Sequence, residues 1–484
     1  MVGTKLFALI STFSKKEIKE FGLYVSSPFF TSGRNYPTEK LVRLTYCIID
    51  VYPNLQSAKL DRRVLFTKLY GSRAYNDNTM RNLFSDLKAL AGGYLMQCRA
   101  KQNSFGKEHD LLVELFNRKL EKEFLKQLKF CYKLLEGREQ NSDFFYDRFR
   151  TTDYLSYFNG RKQNMNSSEI QDTYNDFNRF YILRALQQFI LMINLGNLVK
   201  FQFKMPMYRE VMKHIENNPD DYEKIPRIVI YYSLIRMLSE KEEKYFFILK
   251  DQLRRLESKL DIIDRNNIYV CLGNFCLEEI AKGNERYHLE KFENDKNYLA
   301  SGLIHAKHFF HLNLFMSMGM NALDLEEYKW TESFIAEQIT YVAPELQAFA
   351  KNYLTAELNY RKKYFDAALK YLAVINVEIP YYKQLIRNLK LKIFFDTGYI
   401  NEALGLAETS VKFLYSFDEK DFNGRNDFML FAKYYLALLK LKTKKPSKKG
   451  VNVEAELLVN EINSERFFRN KKWLLEKLKG QSIN

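Results

Sequence analysis

The chain has 484 residues, 46% of them hydrophobic and 28% charged, with a net charge of +16. That balance excludes a disordered or membrane-embedded class and leaves room for about two to four domains or one long repeat array. With only 9 Pro and 19 Gly but 39 Phe and 33 Tyr, it predicts long elements, short connections and aromatic packing between helices.

The first hundred residues read as short, well-punctuated helices. Ser14-Lys15-Lys16-Glu17 has the spacing of a capping box, and Ile18, Phe21, Tyr24 and Val25 follow at helical spacing. Ser26-Ser27-Pro28 ends that helix, because the residue before Pro avoids the α region. Pro37 suits a first helical turn, with Leu41, Leu44, Ile48 and Val51 on one face. Asp61 is placed to cap a helix that Gly71 closes. Asp77 is placed to cap the next, which carries Met80, Leu83, Phe84, Leu87 and Leu90.

From about Lys107 onward the helical pattern is nearly continuous. Leu111, Leu115, Phe124, Leu128 and Leu135 fall on or near one stripe. Asn164 to Glu169 is a polar break, and Asn175 to Phe203 is one of the longest helical runs. Asn217-Asn218-Pro219-Asp220 marks a turn with Asp220 or Asp221 near a helix start. No alternating run is long enough to predict a sheet.

Between about 312 and 415 three segments align: Trp330-Thr-Glu-Ser333-Phe334, Phe365-Asp-Ala-Ala368-Leu369 and Ile400-Asn-Glu-Ala403-Leu404. Their small residues recur at an interval of 35, where paired helices would approach closely. This block resembles tetratricopeptide repeats, whose second helix opens with Gly-x-Tyr-x-x-Ala-Leu. Gly398-Tyr399-Ile400-Asn401-Glu402-Ala403-Leu404 is similar. Tyr364 to Leu369 is similar too, with Lys363 in place of Gly, and the segment at 330 has Ser333 for Ala. The resemblance covers about a fifth of the chain. It implies a stack of helical hairpins whose inner face is the working surface.

By that register the inward positions include Tyr353, Glu357, Tyr360 and Arg361, then Asn388, Lys392, Phe395 and Asp396. The peptide-clamping version of the fold grips a terminal carboxylate with Lys and Asn. Here those places fall on Met318, Ala322, Tyr353 and Glu357, which argues against such a clamp. A mixed aromatic and charged groove still suits a peptide or partner helix.

His305, His308 and His311 form an HxxHxxH run. Its outer members lie about 120° apart on a helix, so three ligands on one ion are awkward. No Cys is near and HExxH is absent, so neither metal nor cofactor is expected. Phosphate-loop, dinucleotide and nucleophile-elbow motifs are missing as well, and no enzyme is expected. The five cysteines lack a CxxC pair, and Cys271 and Cys276 sit about 140° apart on a helix, so reduced thiols in a cytoplasm are expected. Leu6 to Ile10 meets a charged cap at once, with no small-residue cleavage site. Phe189 to Val199, with Asn194, Gly196 and Asn197, is too short and polar to be transmembrane. Heavy use of Lys, Asn, Ile, Phe and Tyr fits an AT-rich bacterial genome.

Charge gathers near the end: between 440 and 479 twelve Lys and Arg face five Glu. Lys440, Lys442, Lys444, Lys445, Lys448 and Lys449 surround Pro446 and repel one another, which reads as a basic linker. Phe467, Phe468, Trp473, Leu474, Leu475 and Leu478 predict that the last helix docks.

These readings combine into an all-α protein, a helical-hairpin array (an α-solenoid, tetratricopeptide-like) with a small helical N-terminal region. The expected divisions are 1–105, 106–311, 312–439, a linker at 440–451 and a helical hairpin at 452–484. The expected function is a non-enzymatic adaptor or scaffold for a protein or peptide. The alternative is a nucleic-acid-binding regulator using the Lys-rich stretch or a helix-turn-helix near 61–96. There Arg81 and Lys88 would lie on the second helix, but no strand pattern for a wing follows Met96.

Overall fold

The computed structural model describes residues 5–31, 38–102, 104–164, 166–199, 201–304, 310–418, 422, 424–443 and 450–482. Among them are twenty-five α-helices and no strand; one isolated parallel bridge joins Phe310 to Val342. No described helix is long and apolar enough to cross a membrane. The chain divides into two units, 1–181 and 182–484.

The first unit holds α1 (Lys5–Ile10), α2 (Lys15–Ser26), α3 (Pro28–Thr31), α4 (Thr38–Ile49), α5 (Arg62–Tyr70), α6 (Asp77–Gln102), α7 (Ser104–Asn117), α8 (Glu121–Leu135) and α9 (Ser142–Arg161). The unit boundary falls inside α10 (Ser167–Val199). The capping box of α2 forms as expected: Glu17 N–H donates to Ser14 Oγ, and Ser14 N–H donates to Glu17 Oε2 at 2.7 Å. Asp61 caps α5, and Gly71 ends it at φ 69°. At α6 the expected cap differs. Asn76 Oδ1 accepts from Thr79 N–H, while Asp77 pairs with Arg62 and Arg81. The predicted apolar face of α6 is buried, in one core with Phe21, Leu41 and Leu44. Pro37 lies outside the described residues. The stripe expected on α7 is turned by one residue: Leu112 and Phe116 are buried, whereas Leu111 is exposed.

The second unit continues with α11 (Tyr208–Asn217), α12 (Pro219–Tyr222), α13 (Pro226–Glu240), α14 (Glu243–Leu256), α15 (Ile262–Ala281), α16 (Tyr287–Ala300), α17 (Leu312–Asp324), α18 (Tyr328–Gln338), α19 (Pro344–Arg361), α20 (Phe365–Ala373), α21 (Pro380–Thr397), α22 (Ile400–Tyr415), α23 (Arg425–Thr443), α24 (Gly450–Ser464) and α25 (Lys471–Ser482). Successive helices pair as antiparallel hairpins. The first helices α17, α19, α21 and α23 also pack each on the next, forming one layer.

One turn recurs between the members of these hairpins. Gly283, Glu326, Lys363 and Gly398 each take positive φ. The residue after each donates back to the sixth position: Asn284 to Glu279 O, Glu327 to Ala322 O, Tyr364 to Asn359 O and Tyr399 to Phe394 O, at 2.8–3.0 Å. This is the Schellman closure, which satisfies carbonyls left open at a helix end. Within the first unit Lys119 with Leu120 and Gln163 with Asn164 build the same turn. Where Gly is absent, the left-handed residue is strained by roughly 1–2 kcal/mol, and the Gly signal disappears from the sequence.

The expected constant interval of 35 needs correction. Ala368 and Ala403 are the fourth residues of α20 and α22, both 0% exposed. The fourth residue of α18 is Thr331, also 0% exposed, whereas Ser333 faces outward. The turn residues confirm the offset: Glu326 to Lys363 spans 37 positions and Lys363 to Gly398 spans 35. Gly319 lets α17 and α19 pack tightly: a Cβ there would meet Leu354 Cδ1 at 2.6 Å.

A candidate partner groove filled by the last helix

The eight residues predicted to face inward are brought together, and most are buried. Tyr353, Glu357, Tyr360 and Arg361 lie on α19; Asn388, Lys392, Phe395 and Asp396 lie on α21. Five of their side chains form one polar network. Tyr353 donates to Glu357 Oε1 at 3.0 Å, and Lys392 Nζ sits 3.5 Å from Glu357 Oε2 and over the Tyr360 ring. Tyr360 donates to Asp396 Oδ2 at 2.9 Å, and Arg361 pairs with Asp324. Burial pushes the Lys392 ammonium below its usual range and the Tyr353 and Tyr360 phenols above theirs. A buried charge pair survives only when it is well hydrogen-bonded, and this one is loose. Gln384 Oε1 and Asn388 Nδ2 are buried with no hydrogen-bond partner, although the other ends of the two amides meet at 2.9 Å.

What closes this face is α25. Phe468, Leu474 and Leu478 are fully buried and join the core built by α21 and α23. The Trp473 ring stacks on Tyr435 and meets Phe395 edge-on at 5.4 Å, and its Nε1–H donates to the Tyr360 hydroxyl at 2.7 Å. One turn later Lys477 Nζ pairs with Asp396 at 2.5 Å. Lys472 reaches Glu285, and Arg469 donates to Tyr381 at 2.8 Å. Trp473 and Lys477 are i,i+4 neighbours on one helix face, so a single docking geometry satisfies both. The groove positions and the docking helix are each legible in the sequence, but that one fills the other is not, because nothing local links residues 113 positions apart.

The basic segment divides. Lys442 Nζ donates to the Phe395 carbonyl at 2.7 Å and lies over its ring, so it completes the end of α21. Lys440 is exposed on α23, and Lys444, Lys445, Lys448 and Lys449 lie outside the described residues. His305 and His308 lie outside them too, and His311 is exposed at the start of α17. Among the described residues no three His, Cys, Asp or Glu side chains gather to hold a metal. In the proposed helix-turn-helix, Arg81 is tied to Asp77, and α6 runs on to Gln102.

A cavity of about 370 Å³ lies between α15, α16 and α17. Lys291 and Asp295 pair at 2.5 Å at its edge, almost fully buried, and Asn266, Asn274 and Asn313 line its walls. Burial thrusts the Asp295 carboxyl above the usual carboxylate range.

The chain matches no protein-family model, no curated protein and no solved structure.

Proposed function

We propose that this protein is a non-enzymatic adaptor of tetratricopeptide-like build, binding a protein or peptide along the inner face of α19, α21 and α23. The observation that supports this is the seating of α25. The face already receives a helix by an indole hydrogen bond, an ion pair and aromatic packing, the elements of helix-in-groove recognition. The recurring hairpin turn supports the tetratricopeptide-like build. A cytoplasmic setting agrees with three deeply buried thiols, Cys131, Cys271 and Cys276, which burial raises to about 11 to 12. The test is capture of a partner from cell extract by the unchanged chain and by Asp396→Lys with Tyr360→Phe. A partner lost only from the variant supports the reading; equal capture by both refutes it.

A second reading, nucleic-acid binding, draws on the charge of +16 and on a row of exposed lysines on α8. Lys122, Lys126, Lys129 and Lys133 recur at helical spacing. DNA and RNA titrations at two salt concentrations test it, using the unchanged chain and a variant with Lys122, Lys126, Lys129 and Lys133 changed to Gln. Binding that falls steeply with salt, with a shallower slope in the variant, supports this reading. No binding at low salt removes it.

A further inference from the structure

We infer that α25 is a resident stand-in for the partner, and that the partner is a basic amphipathic helix presenting an aromatic donor one turn before a lysine. The inference rests on the adaptor reading above and names the chemistry of its ligand. Three independent features carry it.

The first is charge. The chain as a whole is strongly positive, yet the groups that anchor α25 at its polar edge are acidic: Asp396 takes Lys477, and Glu285 takes Lys472. An acidic anchor line within a basic protein selects a basic helix and rejects an acidic one, since like charges across an interface are penalised.

The second is geometry. The Tyr360 hydroxyl accepts from Trp473 Nε1 while donating to Asp396, so indole and ammonium are read by one connected pair of groove residues. Phe395, Phe431 and Tyr435 pack against the indole, which stays half buried. A helix lacking an aromatic N–H donor at that position leaves the pocket and the hydroxyl unfilled.

The third is incomplete satisfaction. Two to three turns before Phe395 on α21, Gln384 Oε1 and Asn388 Nδ2 stay buried without a partner, and the Glu357–Lys392 pair stays loose. Buried polar groups are normally paired, so the face is polar beyond what α25 uses. A partner that answers those amides as well would outcompete the resident helix.

The test begins with hydrogen exchange on the full, unchanged chain. Amides of α25 are expected to exchange at least tenfold faster than those of α21 and α23, by local release. A labelled peptide spanning residues 466–482 is then titrated into the full chain carrying Trp473→Ala, Leu474→Asp, Lys477→Glu and Leu478→Asp, which removes both the polar and the apolar anchors of its own α25. This variant is expected to bind the peptide at least tenfold more tightly than the unchanged chain does. The same peptide carrying Trp473→Ala and Lys477→Glu is expected not to bind. Exchange of α25 only together with α21 would make it a permanent cap and overturn the inference, whether or not the variant folds. A folded variant that ignores the peptide would overturn it as well. The adaptor reading fails separately: a partner captured while α25 keeps its protection would preserve that reading and remove this one.

Discussion

Trp473 Nε1 donates to the Tyr360 hydroxyl at 2.7 Å, joining the final helix to α19 across 113 residues. The contact is polar but sits in an aromatic surround of Phe395, Phe431 and Tyr435. Trp473→Phe removes the donor together with part of the ring and should cost about 1–2 kcal/mol. Trp473→Ala also empties the aromatic pocket and should cost about 3 kcal/mol, at the lower end for large aromatics because the ring is only half buried. Thermal melting separates the two. An unchanged melting temperature for Trp473→Ala would show that α25 adds nothing to the fold.

The corrected register gives a paired test. Thr331 and Ala403 are equivalent fourth residues at helix contacts, while Ser333 is exposed. Ala403→Leu and Thr331→Leu should each cost roughly 1–3 kcal/mol by overpacking. Ser333→Leu should stay within about 0.5 kcal/mol of the unchanged chain, as a surface change. Destabilisation by Ser333→Leu matching that of Thr331→Leu would restore the constant interval of 35.

The hairpin turns make a prediction of opposite sign. Lys363 holds φ at 64° where Gly398 holds 81° in the matching turn. Lys363→Gly should therefore stabilise the protein by about 0.5–1 kcal/mol, the strain relieved outweighing the added chain entropy. Gly398→Ala should destabilise it by a similar amount. Denaturant midpoints measure both, and a drop for Lys363→Gly would mean that the lysine side chain contributes more than its backbone strain costs.

Under α25 the Glu357–Lys392 pair is buried and loosely made. Lys392→Met alone leaves a buried carboxylate and should cost about 3–5 kcal/mol. Adding Glu357→Leu should recover most of that loss, since an apolar pair of similar volume is often as stable. Chemical denaturation of the two singles and the double decides, and additive losses would refute the coupling.

Alkaline pH should expose the buried phenols. Burial raises Tyr231, Tyr353, Tyr360 and Tyr435 above their ordinary value of 10.0. Above that value the unfolded chain loses phenol protons that the folded chain keeps, so stability falls as pH rises. Lys392 and Lys442, held below 10.5 by burial, contribute the other way but are outnumbered by the raised phenols. A fraction of the phenolate absorbance should therefore appear only together with loss of helix, in one cooperative step. Ionisation of all 33 phenols with the helical signal intact would show these hydroxyls to be open to solvent.

Most helices were legible in the sequence because their causes are local. The Ser14 box, the Asp61 cap, the Gly71 stop and the apolar stripe of α6 need only neighbouring residues. The turn at Lys363 was placed only by alignment with Gly398, and the turn at Glu326 was missed, because tertiary packing holds a non-glycine residue in a conformation its side chain disfavours. The two-residue slip at Ser333 follows from that loss of signal.

The sequence by itself determined an all-helical chain of paired amphipathic segments, since 3.6-residue periodicity and capping act within a few residues. It also placed polar and aromatic residues together on α19 and α21. Only the tertiary structure decided that these residues are covered, and by what. Whether Tyr360 meets solvent, a partner or Trp473 depends on where a helix 113 residues away comes to rest, and that is set by burying Phe468, Leu474 and Leu478 in the core of α21 and α23. Burial of apolar surface is non-directional, so no local pattern encodes its address.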